Sequence, residues 1–240
     1  MVKKNWHLFF YIASFILAPE CACKKDNRQS MPAVNENRDN KHYSFLALGD
    51  SYTIGQSVTE TGRFPAQTQA RLTAEGRSVN RLTYIAATGW TTTDMQNAIV
   101  QQNPQGPFDI VTLLIGVNDQ NQQKDTTGYS TRFTGLLQSA VQLAGNKSSH
   151  VFVLSIPDYS VTPYGSIDDT ILIRKQIDLF NSINFRVSNT YGIRYTDVTP
   201  VSREALNDAS LIAKDSLHPS EKMYSKWVDL LEPKIRQLLK

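Results

Sequence analysis

The sequence predicts an α/β fold, a three-layer sandwich in which a five-stranded parallel sheet lies between two layers of helices. Two observations predict it: short apolar runs recur along the chain, and longer segments with helical periodicity separate them. The runs do not alternate with polar residues, which is typical of parallel strands buried on both faces. Chains in which strands and helices alternate form sheets of this kind. The predicted strands cover residues 43–48, 82–86, 110–115, 151–156 and, more weakly, 192–196.

Two of the predicted helices have mostly apolar side chains at spacings of three and four residues, which puts those side chains on one face. The first helix precedes the last strand, and its face is formed by Ile173, Ile177, Phe180, Asn184 and Val187. The second is C-terminal, and its face is formed by Trp227, Leu231, Ile235 and Leu238. Pro233 interrupts this second pattern, so we expect a kink or a restart of the helix there.

Length and charge indicate a single domain without a nucleic-acid surface. A chain of 240 residues with 40% hydrophobic content can bury the core of one α/β domain but not comfortably of two. The formal charge of +3 comes from residues 1–42, which contain seven Lys or Arg and four acids, so that 18 of each remain in the rest. A nucleic-acid partner is not expected, because binding phosphates requires Lys and Arg clustered on one face.

The N-terminal residues resemble the export signal of a bacterial lipoprotein. Lys3 and Lys4 precede an apolar run over residues 8–18 that is too short for a good membrane span. Cys23, or alternatively Cys21, then stands where lipoproteins carry their lipidated cysteine. We expect residues 1–23 to be a signal peptide, residues 24–42 a flexible polar tether, and the domain to be lipid-anchored in the bacterial cell envelope, facing the periplasm or the cell surface. An ordinary signal peptide with incidental cysteines is the alternative.

Candidate catalytic residues follow the predicted strands, where open parallel sheets bind their ligands. Ser51, in the segment Gly49-Asp50-Ser51-Tyr52-Thr53 after the first strand, is a candidate nucleophile, although Gly-Asp-Ser is also a common turn sequence. After the second strand, Gly89 lets the backbone approach a bound group closely; a loop leading into a helix capped by threonine is the alternative. After the third strand, Asn118 offers a side-chain amide, or simply forms an Asx-turn.

An acid and a base lie three residues apart near the C terminus, in Asp215-Ser216-Leu217-His218. Within one loop, this spacing lets the carboxylate accept from one ring nitrogen while the other nitrogen faces elsewhere. The other histidines are less well placed as a base: His7 lies in the signal segment, His42 in the tether and His150 at the start of a strand, at the opposite edge of the sheet.

In this order, the four segments resemble the four blocks of the SGNH hydrolase superfamily, also called GDSL esterases and lipases. The resemblance spans residue 44 to the C terminus; Tyr52 replaces the leucine of the family name, and the asparagine usually found before the glycine of the second block is absent. It implies a flavodoxin-like hydrolase domain over residues 43–240. It also implies a catalytic triad of Ser51, His218 and Asp215, with an oxyanion hole formed by the amides of Ser51 and Gly89 and the side chain of Asn118.

The predicted function is therefore that of a serine ester hydrolase that needs no cofactor. No metal site is expected, because the chain has neither paired cysteines nor two histidines at ligand spacing. Family and location suggest a small-molecule or glycan ester, with removal of short O-acyl groups, particularly acetyl, from carbohydrate. Tyr52 and Trp90 are candidates to line the substrate pocket, although core packing explains them equally well.

Three alternatives to this function remain open from the sequence. The first is a lipid esterase, lysophospholipase or thioesterase that acts on longer acyl chains. The second is acyl transfer to another alcohol, since the same acyl-enzyme serves either acceptor. The third is a non-catalytic surface lipoprotein that binds glycans. The oligomeric state is not predicted.

Overall fold

The computed structural model describes residues 41–239. Five parallel strands form one sheet in the order β2-β1-β3-β4-β5, which confirms the predicted α/β fold. Their bounds are β1 Tyr43–Gly49, β2 Val79–Ala86, β3 Ile110–Leu114, β4 Val151–Leu154 and β5 Arg194–Thr196. The predicted signal peptide, both candidate lipidation cysteines and all but the last two residues of the predicted tether lie outside the described residues.

Eight α-helices occur among the described residues: α1 Ser51–Ile54, α2 Phe64–Ala74, α3 Thr92–Gln102, α4 Val117–Gln123, α5 Tyr129–Leu143, α6 Thr170–Thr190, α7 Thr199–Arg203 and α8 Glu221–Arg236. Short 3₁₀ turns lie between them: Glu60–Gly62, Ser148–His150, Tyr159–Val161, Gly165–Ile167, Glu204–Leu206 and Ala209–Leu211. None of the helices in this part of the chain is long and apolar enough to cross a membrane.

The helices form two layers, one on each side of the sheet. Helix α2 packs against α8, whereas α3 packs against α5 and α5 against α6. This division follows from right-handed crossovers, because the chain moves outward from β1 to β2 and then returns past β1 to β3. The reversal makes the carboxyl ends of β1 and β3 a topological switch point, which is where open α/β sheets bind ligands.

Burial explains which strand limits the sequence predicts well. All residues of β3 and β4 are buried, so continuous apolar runs mark these strands. The edge strand β2 begins at Val79, three residues before its predicted start, because its second and third residues, Asn80 and Arg81, are exposed and polar. Strand β4 ends at Leu154 and not at Ile156, since the chain there leaves the ladder toward Pro157.

The two predicted apolar faces form part of the core. The five residues named for the face of α6 are all buried, including the polar Asn184. Of the face predicted for α8, Trp227, Leu231 and Ile235 are fully buried, whereas Leu238 lies beyond the end of the helix and is partly buried. The restart expected at Pro233 is wrong, because α8 continues through it to Arg236. The carbonyl that loses its helical donor belongs to the exposed residue Asp229, where water can replace the bond.

Candidate active site

Ser51 lies on a tight turn between β1 and α1. Asp50 caps the helix by accepting a hydrogen bond from the amide of Tyr52 at 3.0 Å. Gly49 allows this turn to close, because a Cβ at that position would lie 2.0 Å from Thr53 Oγ1 and 2.5 Å from the carbonyl oxygen of Leu114. As the first residue of α1, Ser51 has an amide without an acceptor inside the helix. The turn therefore presents both a hydroxyl and a free N–H at the carboxyl edge of the sheet.

Asp215 and His218 lie on a loop whose base is closed by backbone pairing. An antiparallel bridge joins Ile212 to Pro219, and the amide of Ala213 donates to the carbonyl of His218 at 2.7 Å. Inside the loop, Asp215 Oδ1 accepts from the amides of Leu217 at 3.0 Å and His218 at 2.9 Å. The carboxylate thus organises the loop that carries the imidazole, which explains the short spacing in sequence.

The structure brings the predicted nucleophile, base and acid into one chain of contacts. His218 Nε2 lies 2.9 Å from Ser51 Oγ, and His218 Nδ1 lies 2.6 Å from Asp215 Oδ2. Ser51 is 6% exposed and His218 is 5% exposed, so bulk water has little access to the contact between them, whereas Asp215 is exposed at the other end. The ring of Tyr52 packs on the imidazole with a centroid distance of 5.4 Å and fixes its position from the side of the core.

Hydrogen bonds keep the acid ionised. Partial burial by itself would raise the pKa of Asp215, but donors from Ser57, from the amides of His218 and Leu217 and from the His218 ring lower it to about 2. An ionised carboxylate behind Nδ1 favours the imidazole tautomer that leaves Nε2 free to accept a proton.

Gly89 and Asn118 lie at the same edge and are held by helix α4. Gly89 is the third residue of a turn that is closed by the Trp90 amide and the Ala87 carbonyl at 3.3 Å. Its φ of 80° favours glycine, and a Cβ there would meet no protein atom within 4 Å, so open space lies where a side chain would project. Asn118 Nδ2 donates to the Trp90 carbonyl at 3.0 Å, and Gln122 Nε2 donates to the Gly89 carbonyl at 3.3 Å.

The comparisons with known proteins identify the family. A sequence model described as the GDSL-like lipase/acylhydrolase family matches residues 47–226, which is most of the chain. The chain belongs to this family. It is therefore a carboxylic ester hydrolase of the SGNH type. Among curated proteins, none matches the sequence of this hydrolase significantly.

Solved structures share the fold of the hydrolase at low sequence identity. TesA has a TM-score of 0.64 at 17% identity and covers 82% of this chain and 99% of its own. A lipase/acylhydrolase from Enterococcus faecalis has a TM-score of 0.61 at 18% identity, with 82% and 97% covered. Axe2, an acetylxylan esterase from Geobacillus stearothermophilus, has a TM-score of 0.57 at 18% identity, with 80% and 94% covered.

The cleft of the hydrolase in front of the serine has a volume of about 170 Å³. Ser51, Gly89, Asn118 and His218 all line it, together with residues that the sequence did not single out: Thr88, Val117, Asn121, Tyr159, Tyr164 and Leu217. Of the two expected pocket residues, Tyr52 reaches the cleft although it is only 3% exposed. Trp90 differs from the expectation, because it does not line the cleft and packs half-buried against the core.

One wall of the cleft consists of residues 155–169, the segment between β4 and α6, from which Tyr159 and Tyr164 line the cleft. Asp158 is fully buried there; it accepts from the Ser160 amide at 3.0 Å and forms ion pairs with Arg203 at 2.8 Å and Arg174 at 3.3 Å. The amide of Tyr164 donates to the Ser216 carbonyl at 3.1 Å, which ties the wall to the loop of the acid and base. The rule that ligands bind after parallel strands would have pointed to this segment, but its sequence has no distinctive motif.

Metal ligands do not cluster in the described part of the hydrolase. No group of three or more His, Cys, Asp or Glu side chains within residues 41–239 could hold a metal ion. Asp119, next to Asn118, is buried, but its oxygens accept from Thr92 and pair with Arg132. That carboxylate fastens the start of α3 to α4 and so supports the edge that carries Gly89.

Proposed function

We propose that the protein removes short O-acyl groups, above all acetyl, from carbohydrate esters through an acyl-enzyme on Ser51. The observation that supports the reaction is the continuous contact from Ser51 Oγ through His218 to Asp215, at 2.9 Å and 2.6 Å, beside an open cleft. A non-catalytic glycan-binding protein has no need of a nucleophile, a base and an acid in contact.

The base and the acid divide the work of proton transfer. His218 Nε2 takes the proton of Ser51 as the hydroxyl attacks the ester carbonyl, and the protonated ring then gives this proton to the departing alcohol. Asp215 accepts the Nδ1 proton, orients the ring and stabilises its positive charge. A water molecule activated by His218 in the same way then attacks the acyl-serine and releases the acid.

Three donors hold the negative charge that develops on the carbonyl oxygen. These are the amide of Ser51, the amide of Gly89 and the side-chain amide of Asn118, all of which belong to residues that line the cleft. Because Asn118 is already fixed by its bond to the Trp90 carbonyl, it needs little reorganisation in the transition state. Removal of one such donor costs about 3 kcal/mol, which corresponds to a hundredfold or more in rate.

The size of the cleft supports a short acyl group. Its 170 Å³ compares with roughly 150 Å³ for a protein cavity that accommodates benzene, and with roughly 300 Å³ or more for sites of drug-sized ligands. Tyr164 is 48% exposed beside Asn121 on the cleft lining, and an aromatic face together with a side-chain amide suits the stacking and hydrogen bonding of a sugar.

A second candidate substrate is an ester with a longer acyl chain. Exposed apolar side chains follow Tyr164 along the chain, since Ile167 is 83% exposed and Ile171 is 66% exposed. A chain leaving the cleft along these residues would remove them from water, which is favourable in proportion to the apolar area covered.

Export and lipid anchoring complete the proposal. They are supported by the basic and apolar N-terminal sequence followed by Cys21 and Cys23. Labelling of cells with a radioactive fatty acid tests them: we expect the label in the wild-type protein and its loss in Cys23→Ser or, if the other site is used, in Cys21→Ser. If the wild-type protein carries no label, the protein is not lipid-anchored through these residues.

Hydrolysis of p-nitrophenyl esters from acetyl to palmitoyl, with Ser51→Ala as control, tests the reaction and the acyl length together. We expect activity that is highest with acetyl and absent in the control. A maximum at long chains would favour the second candidate, and equal inactivity of both proteins on all esters would contradict the hydrolase mechanism. Release of acetate from an acetylated oligosaccharide then tests the alcohol part of the ester.

A further inference from the structure

Ser57 adopts a backbone conformation that is unfavourable for a serine. It is the third residue of a turn after α1, which is closed by the Val58 amide and the Gly55 carbonyl at 3.2 Å. Its φ of 67° lies in the left-handed region, where glycine or asparagine is favoured at this turn position. Strain of this kind is retained where the surrounding structure gives the residue a role, and it accumulates at functional sites.

The hydroxyl of Ser57 contacts Asp215, the acid of the catalytic triad. Ser57 Oγ donates to Asp215 Oδ2 at 2.6 Å, and the same oxygen lies 2.6 Å from His218 Nδ1. The other oxygen, Oδ1, is occupied by the amides of Leu217 and His218. Oδ2 therefore has two donors: His218, on the same loop as Asp215, and Ser57, in the segment that follows the nucleophile.

We propose that Ser57 is a positioning residue that holds the Asp215 carboxylate in line with His218 and moderates the basicity of the imidazole. This inference rests on the proposed function, and it goes beyond the triad because Ser57 touches neither the substrate nor the reacting serine. A serine hydroxyl in this left-handed turn connects the nucleophile segment to a loop that lies 158 residues away in sequence.

Ser57 and His218 both donate to Asp215 Oδ2, and this sharing determines how Ser57 affects the basicity of the His218 imidazole. Among the hydrogen bonds that lower the pKa of Asp215, the one from Ser57 contributes most, against the opposing effect of partial burial. Without the Ser57 hydroxyl, Oδ2 carries more charge and binds the Nδ1 proton more strongly. The positively charged imidazolium form of His218 is then favoured over the neutral ring.

Replacement of Ser57 leaves the other titratable residues around His218 and Asp215 in place. Burial raises the pKa of Tyr52, of Tyr159 and of Tyr224 above its usual value, so these phenols stay neutral near pH 7. Burial raises the pKa of Asp50 to about 7, so Asp50 titrates in the same range as an imidazole. Charged and titratable neighbours on the wall segment, on the helices paired with it and on the loop of Asp215 also include Asp158, Tyr164, Asp168, Arg174, Arg203 and Lys214. A comparison between variant and wild type removes these shared contributions.

Two variants separate the hydroxyl from the backbone strain. Ser57→Ala removes the hydroxyl and keeps the unfavourable φ, whereas Ser57→Gly removes both, so the glycine variant is expected to fold at least as well as the wild type. Ser44→Ala is the matched control, because Ser44 Oγ also donates to a carboxylate, Asp109 Oδ2 at 2.8 Å, at the opposite edge of the sheet.

The experiment measures two quantities: the ¹H chemical shift of the proton on His218 Nδ1, assigned by its loss in His218→Gln, and the pH profile of kcat/KM for p-nitrophenyl acetate. In both Ser57 variants we expect this proton to move downfield, because its hydrogen bond to Asp215 strengthens, and the acid limb of the profile to move upward by about half a pH unit. Ser44→Ala should leave both unchanged. Values unchanged in both Ser57 variants, or a change in the alanine variant alone, would overturn the proposal. A wild type inactive on every ester would instead refute the proposed function, and the chemical shift of the Nδ1 proton would still decide the role of Ser57.

Discussion

Replacement of Asp215 by asparagine tests the catalytic triad most directly, because the four hydrogen bonds that Asp215 accepts determine the outcome. Oδ1 accepts from two backbone amides, while Oδ2 accepts from Ser57 and faces His218 Nδ1. Asparagine has one oxygen and one NH₂ group, so it can satisfy only one of these two pairs. If its oxygen keeps the amides, its NH₂ faces Nδ1 and the His218 proton moves to Nε2, where Ser51 needs an acceptor.

The expected loss follows from this change of tautomer. An imidazole protonated on Nε2 cannot accept the serine proton, and loss of the orienting carboxylate in a triad lowers kcat by roughly 10⁴-fold. At about 1.4 kcal/mol per factor of ten, this is about 5 kcal/mol of transition-state stabilisation. The binding of substrate, which depends on the cleft and not on Asp215, should change little, so KM is expected to stay within a few fold of the wild type.

Steady-state hydrolysis of p-nitrophenyl acetate by Asp215→Asn gives kcat and KM, and ¹⁵N NMR of His218 reports the tautomer. Asp208→Asn is the matched control, because hydrogen bonds from Lys222 and Ser210 likewise lower the pKa of Asp208 to about 2, yet Asp208 does not line the cleft. The control should retain full activity. A kcat for Asp215→Asn within tenfold of the wild type, with the Nε2-protonated tautomer present, would refute the role of Asp215 and His218 in the proton transfer from Ser51.

Two buried carboxylates and one oxyanion donor give three further tests. Burial raises the pKa of Asp50 from 3.8 to about 7, so the free energy of unfolding of the wild type should decrease between pH 4 and pH 7 by up to about 4 kcal/mol. Urea unfolding should show this decrease in the wild type and not in Asp50→Asn. The same dependence on pH in both proteins would contradict the prediction. Arg132→Ala leaves the buried carboxylate of Asp119 without its charge partner and should lower the free energy of unfolding by roughly 3 kcal/mol, whereas a loss near zero would mean that the pair is not needed. Asn118→Ala removes the side-chain donor of the proposed oxyanion hole and should lower kcat/KM by roughly a hundredfold. Loss of its hydrogen bond to the Trp90 carbonyl should lower the free energy of unfolding by only about 1 kcal/mol. A kcat/KM within a few fold of the wild type would place Asn118 outside the oxyanion hole.

The fold could be predicted because its strands and helices leave local patterns. The buried strands β3 and β4 appear as uninterrupted apolar runs, and the inner face of α6 appears as a repeat of three and four residues. Where burial is partial, the pattern is lost, as in β2 with its exposed Asn80 and Arg81. Pro233 shows the opposite case, since packing of Leu231 and Ile235 on either side holds a helix that local propensity would interrupt.

The sequence by itself determined the chemical groups: a serine, a glycine and an amide after three successive strands, and an acid beside a base in one loop. Only the tertiary structure decided that His218 lies 2.9 Å from Ser51, 167 residues away, and that Ser57 shares an oxygen of Asp215. It also decided that Tyr164 lines the cleft and Trp90 does not. The physical reason is that periodicity and turn chemistry depend on neighbours along the chain, whereas these contacts depend on how distant segments pack over one sheet edge.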